Sequence, residues 1–128
     1  MTPVASSAAP AVILVDDDPA VAHAVKFSFD LEGLNVCSFR DAESLLESGE
    51  LPKRGCLVID YHLPGLNGLD LLDRLRANGV GLPAVLITTN PRLHLRARAA
   101  ASGVPIIEKP LLTDALLTAV RSALVYLD

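Results

Sequence analysis

Several short apolar runs in the sequence are followed directly by side chains that could do chemistry. In an open parallel sheet, ligands bind beyond the carboxyl ends of the strands, so side chains that follow different strands can meet at one edge. The side chains that follow these runs are acids, hydroxyls and one amine: Asp16, Asp17 and Asp18 after AVILV, Asp60 after CLVI, Thr88 and Thr89 after AVLI, and Glu108 and Lys109 after VPII.

An acidic cluster of this kind is costly without a counter-charge. Two carboxylates about 4 Å apart repel each other by roughly 4 kcal/mol at an effective dielectric constant near 20, and a single lysine cannot offset three of them. Either one carboxyl group is protonated or a divalent cation is bound. All the candidate ligands are oxygen atoms, which favours a hard ion such as Mg²⁺, and Mg²⁺ leaves room for a phosphoryl oxygen. The sequence therefore predicts an oxygen-lined site that can receive phosphate.

The segments that must position these side chains alternate between strand and helix patterns. Apolar runs predict five strands, at Ala11–Val15 and residues 34–39, 56–59, 84–87 and 104–107. Four of the runs are almost continuously apolar, as in strands covered on both faces of a parallel sheet. Helical periodicity between the runs predicts five helices, at residues 20–31, Ala42–Glu47, about 69–79, 92–102, and from a cap at Thr113 to Asp128 with Leu116, Val120, Leu124 and Leu127 on one face. Strict alternation predicts a doubly wound α/β domain.

Composition excludes several classes of protein. The chain has 128 residues, the size of one domain, and a net charge of −4, which argues mildly against a nucleic-acid-binding surface. The longest apolar run is too short to span a bilayer, and residues 1–10 lack the pattern of a signal peptide, so we interpret them as a flexible tail. Cys37 and Cys56 form no CxxC pair, which favours buried, reduced thiols over a disulfide.

Four motifs in order resemble the receiver domain of the two-component response regulator family. They are VDDDPAV after the first run, VIDYHLPGLNGLDLL around Asp60, LITT, and IEKPL, and the resemblance extends from about residue 11 to residue 127. It implies a flavodoxin-like fold with strand order 2-1-3-4-5, five helices on both faces of the sheet, and a receiver domain over residues 11–128.

The resemblance also implies a metal site. Asp17 is the more direct Mg²⁺ ligand and Asp16 acts beside it. Asp60 and the backbone carbonyl of His62 complete the expected protein ligands.

The expected reaction is the transfer of a phosphoryl group. The resemblance implies that Asp60 is the nucleophile, that Thr88 donates its hydroxyl to the phosphoryl group, and that Lys109 pairs with a phosphoryl oxygen. A cis peptide bond between Lys109 and Pro110 would aim the lysine into the site. Transition-state stabilisation would come from positioning and electrostatics.

Several notable residues have ordinary structural explanations. Asp18 is expected to cap the first helix, and His23 and His94 are expected on helices away from the predicted edge. Adjacent strand residues face opposite ways, which argues against a pair between Lys109 and Glu108. Turn residues are expected at Pro64, Gly65, Asn67 and Gly68. A solvated face, with a docking surface as the alternative, is expected for Arg92, Arg96 and Arg98.

Four positions bear on how this chain would behave within the family. Ile106 stands where an aromatic residue usually couples phosphorylation to the surface, which puts that coupling in doubt. Thr89 stands where a smaller residue is usual and could narrow access for the phosphodonor. His62 and Asn90 occupy positions that influence the lifetime of the phosphoryl group in this family.

The leading hypothesis is a phosphorylation-controlled signalling module that is not itself an enzyme. Expected partners are a sensor histidine kinase or histidine phosphotransfer protein and a downstream protein bound through the helix 4, strand 5 and helix 5 face, with homodimerisation on phosphorylation as an option. We expect a cytoplasmic, stand-alone regulator that contacts neither DNA nor a membrane. A phosphorylation-independent interaction module and the receiver fragment of a transcription factor are the alternatives. A phosphohydrolase lacks the second acid it would need, since that position is His62. A flavin-binding domain is disfavoured because acids would repel its phosphate.

Overall fold

A computed structural model describes residues 10–49, 51–111 and 114–125 of the chain. The predicted tail, apart from Pro10, lies outside these residues. So do Thr113, Leu127 and Asp128 of the last predicted helix. Within the described ranges, no helix combines the length and the apolar character needed to cross a bilayer.

In the part of the chain that the structure describes, five strands and five helices alternate. The strands are β1 (Ala11–Val15), β2 (Asn35–Phe39), β3 (Gly55–Asp60), β4 (Ala84–Thr88) and β5 (Ile106–Glu108). The helices are α1 (Pro19–Leu31), α2 (Ala42–Glu47), α3 (Gly68–Ala77), α4 (Leu93–Ala101) and α5 (Ala115–Val125). Each predicted element is present, with differences at its ends.

The strands form one parallel sheet in the order β2-β1-β3-β4-β5. This confirms the predicted fold class. Because all five strands run the same way, their carboxyl ends lie at the same edge of the sheet. That edge is the one at which the sequence predicts a site.

Two apolar layers explain why the central strands are apolar at nearly every position. Ile13 and Val15 pack beneath α2, α3 and α4, whereas Val12 and Leu14 pack beneath α1 and α5. All six residues of β3 are buried. Alternate side chains of a strand point to opposite faces, so a strand covered on both faces needs apolar residues throughout.

The prediction that both cysteines are buried is wrong for Cys37. Cys56 lies in the central strand β3 and is buried, whereas Cys37 lies in β2 and is exposed; both thiols are free. β2 is an edge strand, and Cys37 shares the face of Phe39, where the cover is the six-residue helix α2. An apolar run predicts a strand but does not tell whether that strand lies at an edge.

The last strand begins two residues later than predicted. The N–H of Val104 donates to the carbonyl of Ala99 (2.9 Å) and so helps to close α4. Pro105 has no N–H to give to a neighbouring strand. β5 therefore begins at Ile106, which pairs with Leu86.

Candidate functional site

The acids of β1 and β3 are brought together by the pairing of these two strands. Val15 is paired with Ile59, so the next residues, Asp16 and Asp60, lie side by side at the end of the sheet. Carboxylate oxygens of Asp16, Asp17 and Asp60 lie within 4.8 Å of one another. Asp16 and Asp60 are buried, and Asp17 is exposed.

Lys109 enters the same cluster from β5. Its Nζ lies 3.0 Å from Oδ2 of Asp16 and 3.1 Å from Oδ2 of Asp60. Its N–H donates to the carbonyl of Thr88 (2.8 Å), and the peptide bond to Pro110 is cis, as expected. The side chain of Glu108 instead pairs with Arg96, 3.3 Å away on α4, which confirms that Lys109 and Glu108 do not form a pair.

The pKa values of both Asp60 and Lys109 are raised within the cluster. Burial raises the pKa of the Asp60 carboxyl group, repulsion from Asp16 raises it further, and Lys109 and the N–H of His62 offset this only in part. Burial alone would lower the pKa of Lys109, but its contacts with Asp16 and Asp60 outweigh burial and raise it. Lys109 is therefore firmly cationic, whereas the negative charge of Asp60 is destabilised.

The donor atoms fit a hard divalent cation. Oδ1 of Asp16 accepts the N–H of Asp18 (2.9 Å), and the buried Oδ2 lies 3.0 Å from Nζ of Lys109. A buried oxygen with spare acceptor capacity beside two further carboxylates is the ligand set that Mg²⁺ prefers. Asp18 itself caps α1 by accepting the N–H of Ala20 (2.9 Å), as predicted.

Thr88 lies at the end of β4 and is fully buried. It is paired with Glu108, the residue before Lys109, so its position beside the cluster follows from the register of β4 and β5. Its hydroxyl group donates to the carbonyl of Thr89 (3.3 Å). The role of this hydroxyl towards a phosphoryl group stays a prediction.

Comparison with known proteins identifies the family. The profile described as "Response regulator receiver domain" matches residues 12–121, most of the chain. This chain belongs to the response regulator receiver family. The resemblance predicted from the motifs is confirmed.

Individual relatives agree with this assignment. The receiver is 38% identical over 114 residues to the C4-dicarboxylate transport transcriptional regulatory protein DctD of Pseudomonas aeruginosa, covering 88% of this chain and 25% of that one. It is 34% identical over 114 residues to the transcriptional regulatory protein FixJ of Azorhizobium caulinodans, covering 88% of this chain and 54% of that one. The chain thus spans between a quarter and about half of these relatives' length.

A solved structure supports the fold. The CheY-like response regulator receiver domain protein of Methanospirillum hungatei superimposes with a TM-score of 0.83 at 23% identity, covering 94% of this chain and 97% of that one. At this level of identity the likeness concerns the fold alone.

The residues that follow β3 also contact Asp60. The N–H of His62 donates to Oδ1 of Asp60 (3.1 Å), and the His62 ring stands edge-on to that of Tyr61, with centroids 5.1 Å apart. Both oxygens of the Asp60 carboxylate are therefore engaged by neighbours. Metal binding by the carbonyl of His62 stays a prediction.

Two hollows are lined by residues that the sequence analysis singled out. One, of about 420 Å³, is lined by Asp16 and Asp17 together with His23 and Arg40. The prediction that His23 lies away from the site edge is therefore wrong, because α1 begins at that edge and His23 is only one turn into it. The other hollow, of about 340 Å³, is lined by the predicted lifetime residues His62 and Asn90 and by His94. The same prediction is therefore wrong for His94, because it is the second residue of α4, which begins beside these residues.

Two residues of the segment after Asp60 have structural roles that the sequence analysis did not predict. Asn67 was predicted as a turn residue, but it caps α3 by accepting the N–H of Asp70 (2.9 Å). Gly68 was predicted likewise, but it is the first residue of α3 and lies against the backbone of Asp60. Glycine is a poor helix former. A glycine directly after a helix cap therefore indicates a position where a side chain would not fit, and the sequence contained this signal.

The predicted basic face of α4 is engaged in ion pairs on two sides. Arg96 reaches Glu108, as described above, and Arg98 reaches Asp70 (2.7 Å) and Asp73 (2.9 Å) on α3. Arg96 and Arg98 therefore tie α4 to its neighbours and are not simply solvated.

Proposed function

We propose that this receiver accepts a phosphoryl group on Asp60, in the presence of Mg²⁺, from the phosphohistidine of a sensor kinase or phosphotransfer protein. The observation that carries the proposal is the meeting of three acids and Lys109 at the carboxyl edge of the sheet. A buried carboxylate next to two others is an unfavourable arrangement in the absence of further positive charge. A cation bound by these oxygens would offset that repulsion and would also offset the negative charge that a phosphoryl group adds.

The residues of the cluster have separate tasks in this reaction. A carboxylate oxygen of Asp60 forms a bond to phosphorus while the phosphorus–nitrogen bond of the donor breaks, and the imidazole departs with its electron pair. Lys109 binds a phosphoryl oxygen and stabilises the developing charge. Thr88 turns its hydroxyl from the carbonyl of Thr89 towards the phosphoryl group.

Asp16 and Asp17, with Asp60 and the carbonyl of His62, would hold the ion. Mg²⁺, when bound, supplies positive charge to the acids and to the phosphoryl oxygens. The close approach of the carboxylate oxygens of Asp16, Asp17 and Asp60, all within 4.8 Å of one another, supports this assignment.

The module would signal through binding and not through catalysis on a separate substrate. An aspartyl phosphate adds negative charge and acceptor oxygens, which can shift a domain between two arrangements. The surface formed by α4, β5 and α5 would carry the change to a protein partner in the cytoplasm. DctD and FixJ are named transcriptional regulatory proteins, so control of transcription by a linked or separate partner is the corresponding output.

Mass spectrometry tests the proposal. With Mg²⁺ and acetyl phosphate, the wild type should gain about 80 Da, the mass of one phosphoryl group. Asp60→Asn should not gain it, whereas Asp30→Asn, which removes an equal charge from an exposed pair with Lys26, should gain it normally. A wild type that binds Mg²⁺ but gains no mass from either acetyl phosphate or a phosphorylated kinase would instead support the phosphorylation-independent interaction module.

A further inference from the structure

Gly68 packs more closely against the end of β3 than a residue with a side chain could. It is buried at the start of α3, and its N–H donates to the carbonyl of Tyr61 (2.9 Å). Its φ lies outside the left-handed region, so the backbone conformation does not itself require glycine. The requirement comes from the surrounding space.

A Cβ atom at Gly68 would collide with the peptide that follows Asp60. It would lie 2.5 Å from the backbone oxygen of Asp60 and 3.0 Å from Cα of Tyr61. Both are backbone atoms, which cannot rotate out of the way as a side chain can. Cβ and the oxygen of Asp60 would have to move apart by about 0.9 Å to reach the 3.4 Å of ordinary contact.

We propose that Gly68 is a positioning residue for Asp60. Its missing side chain lets α3 seat against the peptide bond after the acceptor and so fixes the carboxylate within the cluster. This inference rests on the proposed function, because it assigns Gly68 to the same phosphoacceptor site.

The contacts of Asp60 leave little tolerance for displacement. Its carboxylate is held by Nζ of Lys109 and by the N–H of His62, each at 3.1 Å. Reactive groups need to be held to within about 0.5 Å, and a misplacement of about 1 Å can cost on the order of 100-fold in rate. A shift comparable to 0.9 Å at Asp60 would therefore disturb both metal binding and phosphoryl transfer.

Two other glycines provide matched controls. A Cβ at Gly55 would collide with the backbone carbonyl of Ala11, but at the opposite end of β3, far along the strand from the acceptor. A Cβ at Gly81 would meet nothing within 4 Å. Gly55→Ala therefore perturbs the packing of β3 without entering the site, and Gly81→Ala tests the substitution itself.

The experiment compares Gly68→Ala, Gly55→Ala and Gly81→Ala in the full chain. Sucrose in every sample favours the compact state, and circular dichroism gives the folded fraction by which each rate is corrected. Calorimetric titration measures the Kd for Mg²⁺, and mass spectrometry measures the rate of phosphorylation at saturating acetyl phosphate. For Gly68→Ala we expect a rate reduced by on the order of 10- to 100-fold and a Kd for Mg²⁺ raised by roughly 10-fold. For the two control variants we expect changes below about 3-fold in both, because their sites are intact.

Three results would overturn the inference. Gly68→Ala could match Gly81→Ala in both quantities. It could match Gly55→Ala, which would mean that general destabilisation explains the loss. It could fail to fold in sucrose where Gly55→Ala folds, which would make Gly68 a residue of the fold and not of the site. If the wild type takes up no phosphoryl group, the proposed function fails, and the Mg²⁺ titrations still decide the role of Gly68.

Discussion

Neutralising Asp60 should stabilise the metal-free receiver. The oxygens of Asp16 and Asp17 lie within 4.8 Å of those of Asp60, and Lys109 lies at 3.1 Å. At an effective dielectric constant near 20, each repulsion is about 3.5 kcal/mol or more and the attraction is about 5 kcal/mol. Burial of the Asp60 carboxylate adds a further cost, while exposure of Asp17 weakens its share. We therefore expect Asp60→Asn to increase the free energy of unfolding by about 1–2 kcal/mol, despite the loss of an ion pair.

Thermal and urea unfolding in EDTA, followed by circular dichroism, measure this effect. A gain of 1–2 kcal/mol corresponds to a Tm higher by about 3–10 °C for a domain of this size. Asp30→Asn is the matched control, because it removes one negative charge from an exposed ion pair and should cost only about 0–0.5 kcal/mol. Mg²⁺ should then stabilise the wild type more than Asp60→Asn. If Asp60→Asn is less stable than Asp30→Asn in EDTA, repulsion within the cluster does not dominate and the electrostatic argument is wrong.

Three further outcomes follow from the same electrostatics and burial. Folding raises the pKa of Asp60, so the native state binds more protons than the unfolded state. Ionisation of Asp60 should therefore lower the free energy of unfolding of the metal-free protein as pH rises from about 4 through the raised folded pKa. Urea titrations across this pH range should show the decrease in free energy of unfolding in the wild type and its absence in Asp60→Asn. Lys109→Met leaves Asp16 and Asp60 buried without a cation and should lower the free energy of unfolding in EDTA by about 3 kcal/mol. The double variant that also carries Asp60→Asn should recover part of this loss, and equal losses in the single and double variants would contradict the argument. The exposed thiol of Cys37 should react quickly with an aromatic disulfide reagent. Burial raises the pKa of Cys56 to about 12, so its thiol should react only on unfolding. Two thiols that react quickly would refute the assigned burial.

Residues that follow continuous apolar runs could be predicted to meet. The runs before Asp16 and Asp60 are buried on both faces, which is characteristic of central parallel strands, and parallel strands end at one edge. Lys109 could be separated from Glu108 because alternate residues of a strand face opposite ways. These inferences need only periodicity and strand direction, both of which the sequence encodes locally.

Features that depend on the arrangement of elements could not be predicted in this way. The collision at Gly68 depends on how closely α3 approaches the end of β3, and a local pattern does not contain that distance. The exposure of Cys37 depends on the place of β2 at the edge of the sheet. The ion pairs of Arg98 join residues 25 and 28 positions apart, so charge patterning within α4 alone did not indicate them.

Helix α4 is held to the domain by exposed ion pairs as well as by packing. Only Leu95 and Ala99 are buried, while Arg96 and Arg98 bind β5 and α3 through solvent-exposed pairs. Exposed pairs contribute about 0–1 kcal/mol each and weaken as dissolved salt screens them. The free energy that holds α4 against β5 and α3 should therefore decrease as ionic strength rises.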